Sequence, residues 1–330
     1  MSGSLTFIVS LSVRDLRVSD IKQQRVDSFL AECFPDVSRS TIQDWIKGGQ
    51  VKVNDEKVKP SSSVHGKEHI SISATLVQAI HDLPQESELA VVYEDDDMLI
   101  INKPVGLVVH PGAGNPDNTL LNYLLAYRSE QKDLPRAGLV HRLDRGTSGL
   151  LLVSKNLQSH NILQEMIKNR EVKRDYLALV EGVPISGGKI DAPIGRDPRN
   201  RLRMLTYSRG AVPARARSAV THFRVKEKFV THALLDVALE TGRTHQIRTH
   251  MQSVGFPIIG DGFYGWHKKL PPNIDDELRD YIRGFSHPAL HAVALAFTYK
   301  SGGNEREINL KAEPPADMLK MVKLLRKNNE

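Results

Sequence analysis

The segment GLVHRLDRGTSGLLLVSK, residues 138–155, carries the densest set of reactive side chains in the chain. His141, Arg142, Asp144 and Arg145 stand within five residues, flanked by apolar runs on both sides. Gly146-Thr147-Ser148-Gly149 predict a turn, so Asp144 is expected on a loop between two apolar strands, where rigid neighbours can hold a functional group. A carboxylate held in this way can attack an electrophilic carbon, stabilise developing positive charge, or remove a proton. The same residues could equally form a structural ion pair. If the stretch is extended, Arg142 and Asp144 share a face. Gly146 is expected to loosen the loop without removing a reactive atom.

A second polar segment is ETGRTHQIRTHM, residues 240–251. Thr241 and Gly242 are expected to open a helix with Ile247, Met251 and Val254 on its apolar stripe, and with Thr244 and Arg248 four apart on another. Arg243 and His245 would then lie at the helix start, placed for phosphate. What is missing also narrows the chemistry. No G-x-x-x-x-G-K-[ST] and no strand–G-x-G-x-x-G–helix unit occurs, so no nucleotide cofactor is expected. Pro288 spoils a helical pair from His287 and His291, and neither that pair nor His245 with His250 has a fitting carboxylate cluster nearby. No metal site is expected.

These residues need elements to hold them. Residues 25–34 place Val26, Phe29, Leu30 and Cys33 at helical spacing. Pro35 and Asp36 break that helix, and Ser38 is set to cap a second one with Ile42, Trp45 and Ile46 on its apolar face. Gly48 and Gly49 end it. Val51 to Val53 alternate into an Asn54-Asp55 turn. The chain is read as an N-terminal extension (1–18), a small binding module (19–80), a linker (81–88) and one larger domain (89–330). In that domain, strand-like runs fall at 89–93, 98–102, 149–153, 175–181, 218–225, 232–240 and 291–299. They are short and separated by Gly or Pro turns, which favours an α+β fold with a mixed, largely antiparallel sheet.

Hydrophobic residues make up 40% and charged residues 25%, ordinary values for a globular protein, and 330 residues favour two domains. No apolar run approaches a membrane span, and the N-terminus is not read as a signal peptide, so no membrane partner is expected. Cys33 is the only cysteine and is expected to be a buried thiol in a chain made for the cytoplasm. The net charge of +6 is a weak pointer to polyanions, but its distribution says more. Lys and Arg concentrate at 168–174 and 196–217, where Arg suits bidentate phosphate contacts.

The segment HRLDRGTSGLLLVSK resembles the catalytic motif of the RluA family of pseudouridine synthases. INKPVGLVVHPG (101–112), YLALVEG (176–182), ETGRTHQIRTHM, PIIGDGFYG and LHA follow in that family's order. The resemblance implies that Asp144 is the catalytic carboxylate, Tyr176 the active-site aromatic and Arg248 the basic partner of Asp144. It also implies RNA contacts from His141, Arg142, Arg145, Lys103, Arg243 and His245, with Arg142 filling the gap left by a flipped base or holding its phosphate. Residues 19–77 resemble the S4 RNA-binding domain through Arg25, Val26 and Asp27, Ser38-Arg39-Ser40, and Gly49, Val51, Val53 and Asn54. That resemblance turns Arg39, Lys47 and Lys52 toward phosphate. The expected reaction breaks the uridine N1–C1′ bond, turns the base and rebonds it through C5, without a cofactor and with the base extruded from its stack. The implied partner is ribosomal RNA or a pre-ribosomal large subunit, met by a monomer. Two alternatives stand beside this reading. A non-catalytic RNA chaperone or assembly factor would not need Asp144, Tyr176 and Arg248 together. A glycoside hydrolase would want two carboxylates flanking its bond.

Overall fold

The computed structural model describes residues 7–17, 23–34, 39–66, 68–78, 83–112, 114–200, 202–208, 210–265, 270 and 274–329. The chain divides into two compact units, Met1–His81 and Asp82–Glu330.

In the first unit, helices Val26–Cys33 and Arg39–Lys47 accompany a four-stranded sheet. Val26, Leu30, Ile42, Trp45 and Ile46 bury together against Val51, Ile70 and Ile72, as the helical spacing requires. The Asn54-Asp55 turn takes positive φ at both residues (50° and 64°), the conformation a tight hairpin needs and these short polar side chains tolerate. Two expectations are corrected. The segment read as an N-terminal extension contributes strand Phe7–Arg17, paired antiparallel along His69–Gln78. Cys33 is exposed, because it closes the last turn of its helix beyond the packed face. The proposed cap at Ser38 and the break at Pro35 and Asp36 lie outside the described residues.

The second unit is built on a nine-stranded sheet. Its order is Gly188–Asp191, Val220–Lys228, His232–Leu239, Lys173–Glu181, Leu290–Ser301, Ser148–Ser154, Met98–Lys103 and Val91–Glu94, with Asn304–Lys311 also paired to Leu290–Ser301. Its pairings are antiparallel except one: Leu290–Ser301 runs parallel to Ser148–Ser154. The fold is therefore α+β with a mixed, largely antiparallel sheet. The central strands read as unbroken apolar runs because both faces are covered. Leu99, Ile101, Leu151 and Val153 face one core with helix Leu120–Tyr127. Met98, Ile100, Leu150 and Leu152 face another with Leu163 and Met166 of helix Leu157–Lys168.

The start of this unit, read as linker, is tied down. Gln85 donates its backbone N–H to the Asn122 carbonyl at 3.1 Å, and Asn122 Nδ2 donates to Leu83 O at 2.9 Å. Among the described residues, no helix is long and apolar enough to cross a membrane.

Candidate active site

Asp144 lies on the loop that enters strand Ser148–Ser154. Leu143 is buried beneath the loop and Arg142 is exposed above it, so the alternation along 142–144 turns Arg142 and Asp144 away from the core. The Thr147 N–H donates to the Asp144 carbonyl at 3.0 Å and closes the turn. Gly146 does not loosen this loop. A Cβ there would lie 2.7 Å from Pro288 Cδ, so the glycine permits a close approach. Gly149 does the same one step on, where φ is +112° and a Cβ would meet the Ala292 carbonyl oxygen at 2.3 Å. The parallel pairing of Ala292 with Gly149 thus fixes where the Asp144 loop ends.

Arg248 comes from helix Gln246–Ser253. This helix starts later than expected: residues 241–245 form a loop, and His245 takes a left-handed φ of 55° at its N-cap. Thr244 and Arg248 therefore do not share a helical stripe, and Arg243 sits before the helix. Arg248 Nη1 donates to Asp144 Oδ2 at 3.1 Å. Its other two donors grip Asp261, Nε to Oδ2 at 2.6 Å and Nη2 to Oδ1 at 2.8 Å. The guanidinium fork is spent on Asp261, leaving a single contact for Asp144. Burial works against the Arg248 charge, but the bonds and charge of Asp261, with Asp144, outweigh it and raise its pKa above the ordinary arginine value. The rings of Tyr264 and Phe263 lie 5.0 and 5.8 Å from the guanidinium carbon.

Tyr176, on strand Lys173–Glu181, is buried and lines the same pocket as Asp144, Arg174 and Arg248. Burial pushes its hydroxyl pKa up, the Arg174 charge lowers it, and Asp144 raises it again. His245 Nδ1 meets the Tyr264 hydroxyl at 2.8 Å, and that oxygen accepts the Met204 N–H at 2.7 Å. Burial lowers the His245 pKa, against the pull of Asp144.

Several expected RNA contacts are engaged within the protein. Lys103 is fully buried; its Nζ donates to Pro104 O at 2.8 Å, Leu107 O at 3.0 Å and Arg145 O at 3.5 Å. It ties the loop after strand Met98–Lys103 to the Asp144 loop and offers nothing to a phosphate. Burial lowers its pKa to about 7, against the pull of Asp144. His141 accepts the Leu152 N–H on Nε2 at 2.9 Å, and burial with the nearby Arg174 lowers its pKa to about 3, so it is no cation. Arg145 donates to Gly106 O at 3.2 Å and Arg243 to Ser218 O at 3.1 Å, but both remain exposed, as does Arg142. In the first unit, Arg39 bonds Asp27 Oδ1 at 2.9 Å and Ser28 Oγ at 2.6 Å, so it braces the fold with only half its side chain in solvent. Lys47 is exposed 3.6 Å from Asp44, and Lys52 is exposed on strand Val51–Val53. Among the described residues, no group of three or more His, Cys, Asp or Glu could hold a metal.

Asp261, Tyr264 and Arg174 had no assigned role in the sequence. Asp261 and Tyr264 stand within PIIGDGFYG, and Arg174 within a basic run, but spacing alone does not pair Asp261 with a residue thirteen positions earlier.

Comparison with known proteins identifies the family. Residues 97–253 match the family described as RNA pseudouridylate synthase, and residues 24–70 match the S4 domain. The chain is 45% identical over 306 residues to the ribosomal large subunit pseudouridine synthase D of Xanthomonas campestris pv. campestris, covering 93% of this chain and 90% of that protein. It is 42% identical over 308 residues to the protein of the same name from Escherichia coli, covering 93% and 92%. The solved structure of human RNA pseudouridylate synthase domain containing 4 is similar with a TM-score of 0.54 at 25% identity, covering 72% of this chain and 93% of that one.

Proposed function

The chain belongs to the RNA pseudouridylate synthase family, and on that premise we propose that it isomerises uridines of large-subunit (23S) ribosomal RNA, with the helix 69 stem-loop as target. The observation that carries this reading is the Asp144–Arg248–Asp261 chain beside Tyr176. Asp144 Oδ2 accepts one bond from Arg248, and among the described residues Oδ1 has no protein donor. That free oxygen is the group that acts on the ribose, by attack at C1′ or by proton removal at C2′. Arg248 holds the carboxylate from the far side and is itself held by Asp261. Tyr176 presents its ring to the extruded uracil. The apolar wall at Leu143, Leu239 and Leu290 keeps water from the cleaved base before it rebonds through C5.

Arg142, Arg145 and Arg243, exposed at the rim, take phosphates. The S4 unit grips rRNA through Lys47 and Lys52, which face solvent. The protein works as a cytoplasmic monomer on rRNA or an assembling large subunit.

The test is direct. Purified protein is incubated with 23S rRNA transcript and with the isolated stem-loop, and pseudouridine is mapped by carbodiimide labelling and primer extension. Pseudouridine in the stem-loop supports the assignment. Free uracil would mean a hydrolase, an unchanged RNA that is bound would mean a chaperone, and conversion only elsewhere would move the target.

A further inference from the structure

Beside the Asp144 pocket lies a larger cavity of about 670 Å³, and the two share Arg142, Arg174, Gly242 and Arg243 in their walls. Arg174 is the unusual member. It sits two residues before Tyr176, on the same buried face of strand Lys173–Glu181, and is only 6% exposed. Among the described residues its side chain has no hydrogen-bond or ion-pair partner, and its Nε is buried and unpaired. Arginine cannot shed its charge in a protein, so burial leaves an uncompensated cation. Every other buried or half-buried arginine described above has an acceptor: Arg248 has two carboxylates and Arg39 has Asp27. Glu240, the carboxylate of the same cavity, is taken by Arg170 and His222.

A second unpaired donor stands on the same wall. His141 Nε2 accepts the Leu152 N–H, so in the neutral ring Nδ1 carries the proton, and Nδ1 is buried without a partner. Gly242 completes the arrangement: a Cβ there would lie 3.1 Å from Arg174 Nη1, so the missing side chain leaves room around the guanidinium. Two orphan donors, one charged, on one wall of a basic cavity make a built site for an anionic oxygen.

We propose that Arg174, assisted by His141, is a substrate-binding residue that holds the phosphodiester next to the target uridine while that nucleotide occupies the Asp144 pocket. This rests on the RNA-modifying reading of the site and deepens it. The bond would set how far the ribose enters the pocket, so its loss falls on binding of the extruded nucleotide more than on the S4 unit's grip.

The test couples the side chain to one phosphate. Synthetic stem-loops carry a neutral methylphosphonate at the phosphodiester 5′ or 3′ of the target uridine. Affinity is measured in the Asp144→Asn background, where no turnover is needed, and kcat/KM in the otherwise unchanged protein. One of the two neutral linkages is expected to weaken the parent protein about tenfold to hundredfold. The same linkage should cost Arg174→Met less than twofold, because the partner is already gone. Arg174→Lys should recover part of the loss. Thermal melts identify a variant that fails to fold, in which case Arg174→Gln, which keeps donors and length, replaces Arg174→Met. Two neutral linkages that leave the parent unaffected, or losses that multiply with Arg174→Met, would overturn the assignment. A protein that shows the coupling but converts no uridine counts against the proposed reaction alone. One that converts uridine without the coupling counts against Arg174 alone.

Discussion

Two carboxylate–guanidinium clusters, one in each unit, show opposite stoichiometry and opposite use. In the first unit one buried carboxylate, Asp27, takes bonds from Arg25, Arg39 and Gln43. In the second unit one buried guanidinium, Arg248, serves two carboxylates, Asp261 and Asp144. An excess of donors consumes every acceptor and yields a brace. An excess of acceptors leaves one oxygen over, and that oxygen faces a pocket. The same ion pair is structural or available for chemistry according to which partner is in surplus.

The largest effect should come from the surplus oxygen. Asp144→Asn is expected to lower single-turnover pseudouridine formation on the order of 10⁴-fold. Its melting temperature should stay close to wild type, since the carboxylate makes one side-chain contact. Substantial turnover by this variant would dissolve the distinction between the clusters.

Asp261→Ala comes next. It frees two donors of Arg248 and leaves the guanidinium to drift, costing about 3–5 kcal/mol, or roughly 6–20 °C in the transition of the second unit. Activity should fall with it, although Asp261 is not expected to touch the ribose. An Asp261→Ala protein that melts normally and loses only activity would give Asp261 a direct role. Arg248→Lys keeps the charge but cannot serve both carboxylates, so its rate should lie between wild type and Arg248→Met.

Asp27→Asn probes the brace. A loss of about 2–3 kcal/mol is expected for the first unit, at the low end because both guanidiniums are half exposed. Turnover of a short stem-loop at saturation should be unchanged, while affinity for long rRNA and its salt dependence fall. Bonds from Arg25, Arg39 and Gln43 overcome burial and depress the Asp27 pKa, so the stabilisation is complete above its unfolded pKa of about 4 and is lost as pH falls below it. Denaturant melts of wild type and Asp27→Asn should therefore converge in acid and separate near neutrality.

The smallest effect concerns Lys103. Burial lowers its pKa to about 7 in the folded protein, so between there and its unfolded value near 10.4 the unfolded chain binds the extra proton. Stability contributed through this group rises with pH across that window. Wild type should gain on Lys103→Met from pH 7 to 10, and a parallel pair of stability–pH curves would show that Lys103 is not the titrating group.

The sequence by itself determined the α+β class, because alternating and continuous apolar runs record which strand faces are covered. It also marked Asp144 by the dense polar segment around it, while Tyr176 and Arg248 were marked by the family resemblance of their segments. Tertiary structure alone decided how these residues are used. Arg248 reads as the partner of Asp144, yet two of its three bonds go to Asp261. Lys103 reads as a phosphate ligand, yet it is sealed beneath the loop it organises. Gly146 reads as slack, yet it is where Pro288 comes closest. Arg174 reads as one member of a basic run, yet it is buried and, among the described residues, without a partner. In each case the deciding atom lies on another element, such as the Pro288 ring against Gly146 or the Asp261 carboxylate against Arg248. Periodicity reports which face of its own element a residue occupies, but the hydrogen-bond count that separates a brace from a site is settled only when elements distant in sequence meet.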